Sequence, residues 1–250
     1  MKKGYTEYMK KLLYLVVALA VIFGVVYLTK TKKVDVVVVP PVDTTSKPIQ
    51  LCFYNETKTS RGLYDVALLK MNLDGVKVTG EFRNVPAEKD SKTGIFEGTV
   101  GPVDKMAMAR TADVWWDSMA EGMQVKEQLK ITFGEGTAQA GFGEMVDRGD
   151  GVYVYKDASK LTYGVAMSDI ACSDVDDRMI VEKYIRDNIK TLVPEKAVLG
   201  GSWYLTTLHI VPNLKTGEMT YEDGHIQGKA TFSYVRNGNQ VTISNLQKSK

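Results

Sequence analysis

Histidine and cysteine are scarce in this chain of 250 residues, which contains two of each. Structural zinc sites draw their ligands from clusters of cysteine and histidine, and His209 and His225 form no such cluster with Cys52 or Cys172. Phosphate loops and nucleophilic triads are not apparent either, since Gly141-Phe142-Gly143 lies in a predicted strand rather than before a helix. We therefore predict no metal, no cofactor and no enzymatic activity.

Long apolar runs are also rare, and the clearest is Leu12–Leu28, seventeen residues without a charge between lysine-rich flanks. As a helix it would span about 25 Å, slightly less than a bilayer core of about 30 Å. A cleaved signal peptide is the alternative, but Ala18-Leu19-Ala20 lies in the middle of the run. No lipobox is visible, because Cys52 lies far from the run. We predict an uncleaved signal-anchor.

Orientation in the membrane rests on lysines and cysteines. Four lysines precede the apolar run and three follow it, so the positive-inside bias is weak. Cys52 and Cys172 flank what reads as one domain, and such a pair after an anchor favours a disulfide in an oxidising compartment. Two free buried thiols are the alternative. The prediction is a single-pass cell-membrane protein with an extracytoplasmic C-terminal domain.

Excess positive charge is missing from the chain beyond the anchor. The chain has 32 basic and 30 acidic side chains, of which seven and one lie in residues 1–33, so residues 34–250 carry 25 and 29. A protein that binds nucleic acid by neutralising phosphates would show the opposite balance. We therefore predict the lipid bilayer as a partner through Leu12–Leu28, and no nucleic acid.

Four regions are predicted along the chain. Residues 1–33 form a cytoplasmic tail and transmembrane anchor, and residues 34–50 form a stalk rich in valine and proline. Residues 51–172 form a β-meander or barrel. Residues 173–250 form a small α+β module. With fewer than 80 residues it buries little surface of its own, so we expect contacts with the barrel to stabilise it.

The region after the stalk alternates apolar and polar residues with the period of half-buried strands. In Gly122–Phe133, Val125, Leu129 and Ile131 share one face and lysines and glutamines the other. Short connections with turn residues predict antiparallel neighbours, and eight strands can close on themselves. We predict an eight-stranded up-and-down β-barrel, with an open β-sandwich as the alternative. The predicted strands are Gln50–Asn55, Leu63–Leu73, Val76–Asn84, Gly94–Gly101, Lys105–Trp116, Gly122–Phe133, Thr137–Met145 and Val152–Tyr155.

The last part of the chain combines one helix with strands. Ser173 is placed to cap a helix from about Asp174 to Leu192, which carries an apolar stripe and ends before Pro194. Asp223-Gly224 and Asn237-Gly238 are hairpin signals. We predict one helix packed on an antiparallel sheet of about four strands, namely Ser202–Val211, Glu218–Tyr221, His225–Val235 and Gln240–Ser244.

Strand alternation also predicts a binding site. Arg110, Glu127 and Glu144 share the parity of apolar neighbours, so in a barrel all three would point into the lumen, beside Trp116. Isolated charges there are costly and must pair or meet water or ligand. A polar ligand site is one interpretation; a structural ion pair, or a parity broken by a bulge, is the other.

Several segments resemble a group of uncharacterised bacterial envelope proteins. They are VTGEFRNVPAEKDSKTGIFEGTVGPV, RTADVWWD, EGM, GFGE and DGVYVYKD, followed by LGGSWY and YEDGHIQGKATFSY. The resembling proteins are small, secreted and often described as lipoproteins, whereas this chain has an anchor and no lipobox. The resemblance implies a place in the cell envelope and carries over no activity, ligand or catalytic residue.

Three functions follow from these features. The first is a membrane-anchored, extracytoplasmic envelope protein with a binding or structural role, whose partner is an envelope protein, a glycan or a small molecule. The second is a carrier or sensor holding a small ligand in the barrel, which requires a cavity of a few hundred Å³. The third is an envelope hydrolase or hydrolase inhibitor, which requires converging carboxylates with a perturbed pKa.

Overall fold

The computed structural model describes residues 47–249, which fall within one compact unit. The predicted anchor Leu12–Leu28 and most of the stalk lie outside these residues. No helix within 47–249 is both long and apolar enough to span a bilayer.

Ten strands precede the helix, and eight of them close into an antiparallel barrel. The strands are β1 (Ile49–Lys58), β2 (Tyr64–Asp74), β3 (Lys77–Val85), β4 (Lys92–Val100), β5 (Arg110–Ala120), β6 (Met123–Gly134), β7 (Thr137–Gly141), β8 (Met145–Asp147), β9 (Val152–Tyr155) and β10 (Ala166–Asp169). The barrel order is β5-β4-β3-β2-β1-β10-β7-β6, and β6 pairs back with β5. The predicted barrel of eight strands is confirmed.

The strand that closes the barrel differs from the predicted one. We expected Val152–Tyr155 as the eighth strand, but β10 lies between β1 and β7 instead. The reason is the unequal length of two neighbours: β6 has 12 residues and β7 only five. Part of the β6 edge is therefore free, and β9 pairs with it in parallel at Lys126 and Glu127.

Tyr155, at the end of β9, bridges β6 and β7 by hydrogen bonds at the point where the pairing of these two strands ends. Its hydroxyl accepts a hydrogen bond from Lys130 N at 3.1 Å and donates one to the Gly141 carbonyl at 2.8 Å. Burial raises the pKa of the Tyr155 phenol to about 12, so the hydroxyl keeps its proton for this bond. The segment between β7 and β10, which contains β8 and β9, is thus held against the outside of the barrel.

Tight turns join several barrel strands, as the glycines predict. Between β5 and β6 the two turn residues, Glu121 and Gly122, both have positive φ, at 49° and 78°. Glu135 and Gly136 do the same between β6 and β7, at 47° and 76°. Paired positive φ angles define the type I′ turn, whose twist matches that of antiparallel strands.

Apolar side chains fill the barrel interior. On β5, Ala112, Val114 and Trp116 are buried, while the alternating Asp113 is exposed. Aromatic rings from other strands join them, with Phe82 5.1 Å from Trp116 between ring centroids. The core also contains Phe53, Leu69, Met71, Phe96, Leu129, Ile131, Phe133 and Met167. Close packing of this kind supplies most of the driving force for folding.

The helix and four further strands follow the barrel. They are α1 (Cys172–Leu192), β11 (Tyr204–Val211), β12 (Thr216–Glu222), β13 (Gln227–Asn237) and β14 (Gln240–Lys248), and the sheet order is β11-β12-β13-β14. The predicted helix and four-stranded sheet are confirmed. The helix begins two residues earlier than predicted, after Ala171, and Ser173 is not its cap.

Two faces of α1 are covered by different partners. Val181, Ile185 and Ile189 pack on the four-stranded sheet, in a core that includes Trp203, Tyr221 and Tyr234. On the other side Val175 packs with Cys52 and Leu68 of the barrel wall. The helix therefore forms a middle layer between the barrel and the sheet.

Candidate functional site

Trp116 and Glu127, two of the four residues predicted to line the lumen, lie opposite each other on β5 and β6. Trp116 is fully buried and its Nε1 donates to the Gly94 carbonyl at 3.1 Å. The Glu127 carboxylate pairs with Lys92 Nζ at 2.5 Å, and the same ammonium lies 5.3 Å from the Trp116 ring centroid. These groups satisfy one another, so they act as a polar cap on the apolar interior.

Arg110 and Glu144 lie elsewhere. Arg110 begins β5, about 20 Å from Trp116 at roughly 3.3 Å per strand residue, and its Nε donates to the Gly101 carbonyl at 2.9 Å. Glu144 is exposed between β7 and β8 and pairs with Lys156 at 2.7 Å. The structure therefore does not bring the four predicted residues into one lumen site, because the chain leaves the barrel before Glu144.

The two cysteines form a disulfide bond between the barrel and the helix. Cys52 is on β1, Cys172 is the first residue of α1, and their Cα atoms are 5.2 Å apart. The bridge closes a sequence separation of 120 residues. It fixes the start of α1 against the barrel wall, beside the cleft described next.

A cleft of about 270 Å³ lies between the barrel wall, α1 and β11. One wall consists of the outer faces of β1, β2 and β3 with the loop that follows β3. The opposite wall consists of α1 and most of β11. The lining residues are Tyr54, Tyr64, Val66, Leu68, Arg83, Val85, Pro86, Ala87, Lys89, Ser91, Arg178, Glu182, Arg186, Leu205, Thr206, Thr207, Leu208 and Ile210.

A charged stripe on α1 faces this cleft. Arg178, Glu182 and Arg186 follow one another at four-residue spacing, which places them on one face of a helix. Arg83 on β3 meets the Glu182 carboxylate with both terminal nitrogens, each at 3.1 Å from a different oxygen. Arg186 Nε donates to the same carboxylate at 2.8 Å. The bidentate ion pair between Glu182 and Arg83 therefore links the helix to the barrel.

The cleft carries excess positive charge. Burial by itself would raise the pKa of Glu182, but Arg83 and Arg186 hold that pKa below its ordinary value, so the carboxylate is ionised at neutral pH. It is the one carboxylate among the lining residues, against the cations of Arg83, Lys89, Arg178 and Arg186. Four cations and one carboxylate give the lining a net charge of three positive units.

Arg178 uses only some of its hydrogen-bond donors. Its guanidinium carbon lies 3.9 Å from the Tyr54 ring centroid, and its Nη1 donates to the Tyr54 hydroxyl at 2.9 Å and to the Ile210 carbonyl at 2.6 Å. Burial raises the pKa of Tyr54, so its hydroxyl stays protonated and donates to Glu56 at 2.9 Å. The Nε of Arg178 is buried and has no hydrogen-bond partner.

Thr206 supplies a second unpaired group. Leu205 pairs with Tyr221 and Thr207 with Thr220, so Thr206 is the extra residue of a β-bulge in β11. Its Oγ1 is buried without a partner. Within residues 47–249, Arg178 Nε and Thr206 Oγ1 are the two buried side-chain nitrogen or oxygen atoms in this state, and both residues line the cleft. An unpaired buried polar group costs about 1–3 kcal/mol, and such groups commonly meet a bound water, ion or ligand.

The rest of the lining is largely apolar. Val66 and Leu68 on β2, Val85 on β3 and Leu205 and Leu208 on β11 form opposite walls around the arginines. Pockets of this type bind by apolar contact and orient the ligand by a few polar groups. The arrangement suits a small molecule with an anionic group and an apolar body.

His209, one of the two histidines, lies at the edge of the cleft in a structural contact. Its Nδ1 is 2.6 Å from Glu56 Oε2, and its ring stacks on Tyr64 with centroids 4.8 Å apart. These contacts join β11 to β1 and β2 and hold the two cleft walls together. Across residues 47–249, no three histidine, cysteine, aspartate or glutamate side chains are grouped to hold a metal ion.

The cleft residues were not identified from the sequence, although one signal was available. The spacing of Arg178, Glu182 and Arg186 marks a charged face on a helix whose apolar stripe we had identified. No local signal indicates that Arg83 meets this face, since it lies 99 residues from Glu182. The bulge at Thr206 likewise depends on pairing with β12.

The fold and the cleft define the class of the protein: a closed eight-stranded antiparallel barrel with a helix and sheet packed on its wall, and a cationic cleft between them. Comparison with protein-family models, with curated proteins and with solved structures gave no match. The geometry of the chain itself is therefore the basis for a functional proposal.

Proposed function

We propose that this protein is a membrane-tethered, extracytoplasmic binding protein, and that its ligand is a small amphipathic anion held in the cleft between the barrel and α1. One observation carries the proposal: the two unpaired buried polar atoms of the described chain both belong to residues of this cleft, where cations exceed carboxylates by three. An anionic group would accept hydrogen bonds from Arg178 Nε and Thr206 Oγ1 and offset part of that charge.

The placement of the protein has three supports. The run Leu12–Leu28 has the composition of a membrane anchor. The disulfide between Cys52 and Cys172 is typical of oxidising compartments outside the cytoplasm. The resemblance to bacterial envelope proteins agrees with both.

The filled interior favours the cleft over the lumen as the ligand site. Trp116, Phe82 and Ile131 are each at most 1% exposed, and Lys92 already pairs with Glu127 at the cap. A ligand in the lumen would have to displace this core, at a cost of several kcal/mol for a side chain of that size.

Binding is also favoured over catalysis by the state of Glu182. A general acid or base works best when its pKa lies near the working pH. Arg83 and Arg186 hold the pKa of Glu182 below its ordinary value, so this carboxylate neither donates nor accepts a proton readily at neutral pH. We therefore assign it a positioning role for the arginines.

The proposal is tested with probes that differ mainly in charge. The full chain in lipid nanodiscs is heated with phenylacetate, with its neutral analogue phenylacetamide, or with benzylammonium, and unfolding is followed by tryptophan fluorescence. We expect phenylacetate to raise the Tm in proportion to the logarithm of its concentration. Equal shifts with phenylacetamide would contradict an anion site.

Two variants locate the site. Thr206→Val removes one unpaired donor without changing the shape of the side chain, and Arg178→Lys keeps the charge but removes the Nε donor. We expect either to weaken phenylacetate binding about tenfold, which is the loss of one hydrogen bond of about 1.4 kcal/mol to a charged group. Arg148→Lys, at an arginine paired with Asp150 outside the cleft, is the matched control and should bind normally. Unchanged binding by Thr206→Val and Arg178→Lys would rule out the cleft.

The natural ligand can be sought by native mass spectrometry of the full chain purified from its own host. We expect a retained small anion whose occupancy falls in Thr206→Val and not in Arg148→Lys. A retained molecule whose occupancy is equal in all three proteins would lie outside the cleft.

A further inference from the structure

The two ends of the barrel differ in how much apolar surface they expose. The start of β1, the β2–β3 turn and the β4–β5 loop share one end, because antiparallel pairing places Ile49 beside Leu73 and Val100 beside Ala112. We call this the entry end, since the chain enters the barrel there. Its exposed apolar side chains are Ile49 (57%), Val76 (67%), Val103 (53%), Met106 (98%) and Met108 (55%).

The opposite end is mainly polar. Its β5–β6 turn exposes Met119 (47%) and Met123 (62%). Its other loops carry charged residues, including an exposed ion pair of 3.2 Å between Arg61 and Glu88. A cluster of exposed apolar side chains at one end of a domain marks a contact surface, whereas isolated ones do not.

The β4–β5 loop is ordered so that Met106 stays at its tip. Asp104 and Ala109 exchange backbone hydrogen bonds of 2.8 and 3.3 Å across its base. The Asp104 carboxylate accepts from the backbone nitrogens of Met106 and Ala107 at 2.9 and 3.2 Å. A methionine tip held by these bonds remains exposed instead of folding back onto the barrel.

The loop also carries local strain. Met108 has a φ of 48°, a region that favours glycine. Its carbonyl oxygen packs on Gly134, where a Cβ atom would come within 2.3 Å. Residues in such conformations persist when the surroundings impose them, and they cluster at functional surfaces.

The position of the entry end relative to the chain suggests what covers it. Fifteen residues, 34–48, lie between the predicted anchor region 1–33 and the start of β1, and they reach at most about 50 Å at roughly 3.4 Å each. With the proposed anchor in a bilayer, the entry end would be held within this distance of its surface. Lys47, Lys77 and Lys105 are exposed around the apolar side chains, together with Asp74, Asp104 and Glu135. The charges at this end therefore balance, and the apolar side chains would supply the contact, with the lysines near anionic headgroups.

We propose that the entry end rests on the lipid bilayer, with Met106 and Met108 inserted at the boundary of headgroups and acyl chains. Amphipathic surfaces bind membranes in this way, with apolar groups in the boundary and basic groups at the phosphates. This contact is separate from the ligand cleft and rests only on the proposed membrane anchor. It would hold the cleft rim formed by the β3–β4 loop at the far end, directed away from the membrane.

Methionine oxidation of the unmodified full chain tests this contact. The protein is placed in nanodiscs of phosphatidylcholine and phosphatidylglycerol, one chain per disc, and treated with hydroxyl radicals generated in the water phase. Peptide mass spectrometry then gives the oxidation rate of each methionine. In water Met106 would react faster than Met123, since it is 98% exposed against 62%. We expect the reverse, with Met106 at least threefold slower than Met123.

Two variants add a matched comparison. Met106→Asp should unseat the loop and raise the oxidation rate of Met108 at least threefold, while Met123→Asp at the opposite end should leave Met106 and Met108 protected. Rates of Met106 and Met123 that follow their exposure, or a Met108 rate unchanged by Met106→Asp, would overturn the contact. Failure of the chain to remain in the discs would overturn it together with the anchor, whereas phenylacetate binding to the cleft would be unaffected.

Discussion

Polar groups have hydrogen-bond partners at the cap of the barrel interior, whereas two buried polar atoms in the cleft on its outer wall have none. Inside, Glu127 pairs with Lys92 and Trp116 donates to the Gly94 carbonyl, so the polar groups of the cap are satisfied. In the cleft, Arg178 Nε and Thr206 Oγ1 are buried without partners. The polar groups of the interior thus contribute to stability, whereas the cleft retains unpaired polar atoms for the ligand that we propose.

The difference explains why the predicted lumen site and the proposed cleft site lie on different surfaces of the barrel. A charged residue on the apolar face of a strand is a reliable sign of an unusual environment, as at Glu127. In a small barrel, however, side chains fill the interior. The Glu127 charge is therefore paired with a neighbouring side chain, Lys92, and not with a ligand. The proposed ligand space lies instead where the barrel wall, α1 and β11 meet and leave a cleft.

The largest expected effect tests the interior. Trp116→Ala removes a fully buried ring and should lower the free energy of unfolding by about 3–5 kcal/mol. Urea unfolding followed by circular dichroism measures the loss. The adjacent Trp115→Ala is the matched control, because Trp115 lies on the outer face near Arg148, and it should cost about 1 kcal/mol or less. Equal losses would mean that the interior is not the stabilising core.

The second effect concerns the bond that joins the two regions. Replacing both Cys52 and Cys172 by alanine removes a bridge across 120 residues and should lower the free energy of unfolding by about 2–5 kcal/mol. Because the bridge fixes α1 beside the cleft, we also expect weaker phenylacetate binding. Urea titrations with and without dithiothreitol measure the loss in the native sequence. A midpoint unaffected by the reductant would show that the bridge contributes nothing.

A smaller effect of opposite sign is expected in the cleft. Thr206→Val replaces an unpaired buried hydroxyl by a methyl group and should leave the free energy of unfolding unchanged or raise it by up to about 1 kcal/mol. The same change should weaken phenylacetate binding. Thermal unfolding without ligand measures the first quantity and titration the second. A clear loss of stability in Thr206→Val would indicate that its hydroxyl already has a partner, such as a bound water.

The smallest expected effect is a pH dependence from Glu182. Its pKa is lowered in the folded protein, against about 4.3 when unfolded. The unfolded chain therefore binds the proton more readily, and the stabilisation is fully present above about pH 5 and disappears as the pH falls through the lowered pKa. Urea midpoints between pH 6 and pH 3 should fall more steeply for the native protein than for Glu182→Gln. Parallel curves would show that Arg83 and Arg186 do not stabilise the charged form.

Local patterns were sufficient for much of the fold. The alternation along Gly122–Phe133 predicted β6, and the short connections beside it predicted its antiparallel neighbours, although Gly122 itself lies in the turn before the strand. The helix pattern before Pro194 predicted α1 to within two residues at its start. These features depend on residues that are close together in the sequence. They can therefore be predicted from one sequence without a structure.

The identity of the closing strand could not be read in the same way. Both candidates are four residues long, and Val152–Tyr155 is richer in strand-forming residues than Ala166–Asp169. What decides between them is the free edge left on β6 by the short β7, together with the position of β1. Pairing across more than a hundred residues is a property of the assembled sheet.

The sequence by itself determined that this protein is a β-rich domain with one late helix, following a segment with the composition of a membrane anchor. Apolar periodicity and turn residues carry that information locally. Only the tertiary structure brings together the residues of the proposed ligand site. Arg83, Arg178 and Thr206 come from a barrel strand, a helix and a bulged edge strand, and they line one cleft. Packing of the helix and sheet on the barrel pairs Arg83 with Glu182 but buries Arg178 Nε and Thr206 Oγ1 without hydrogen-bond partners.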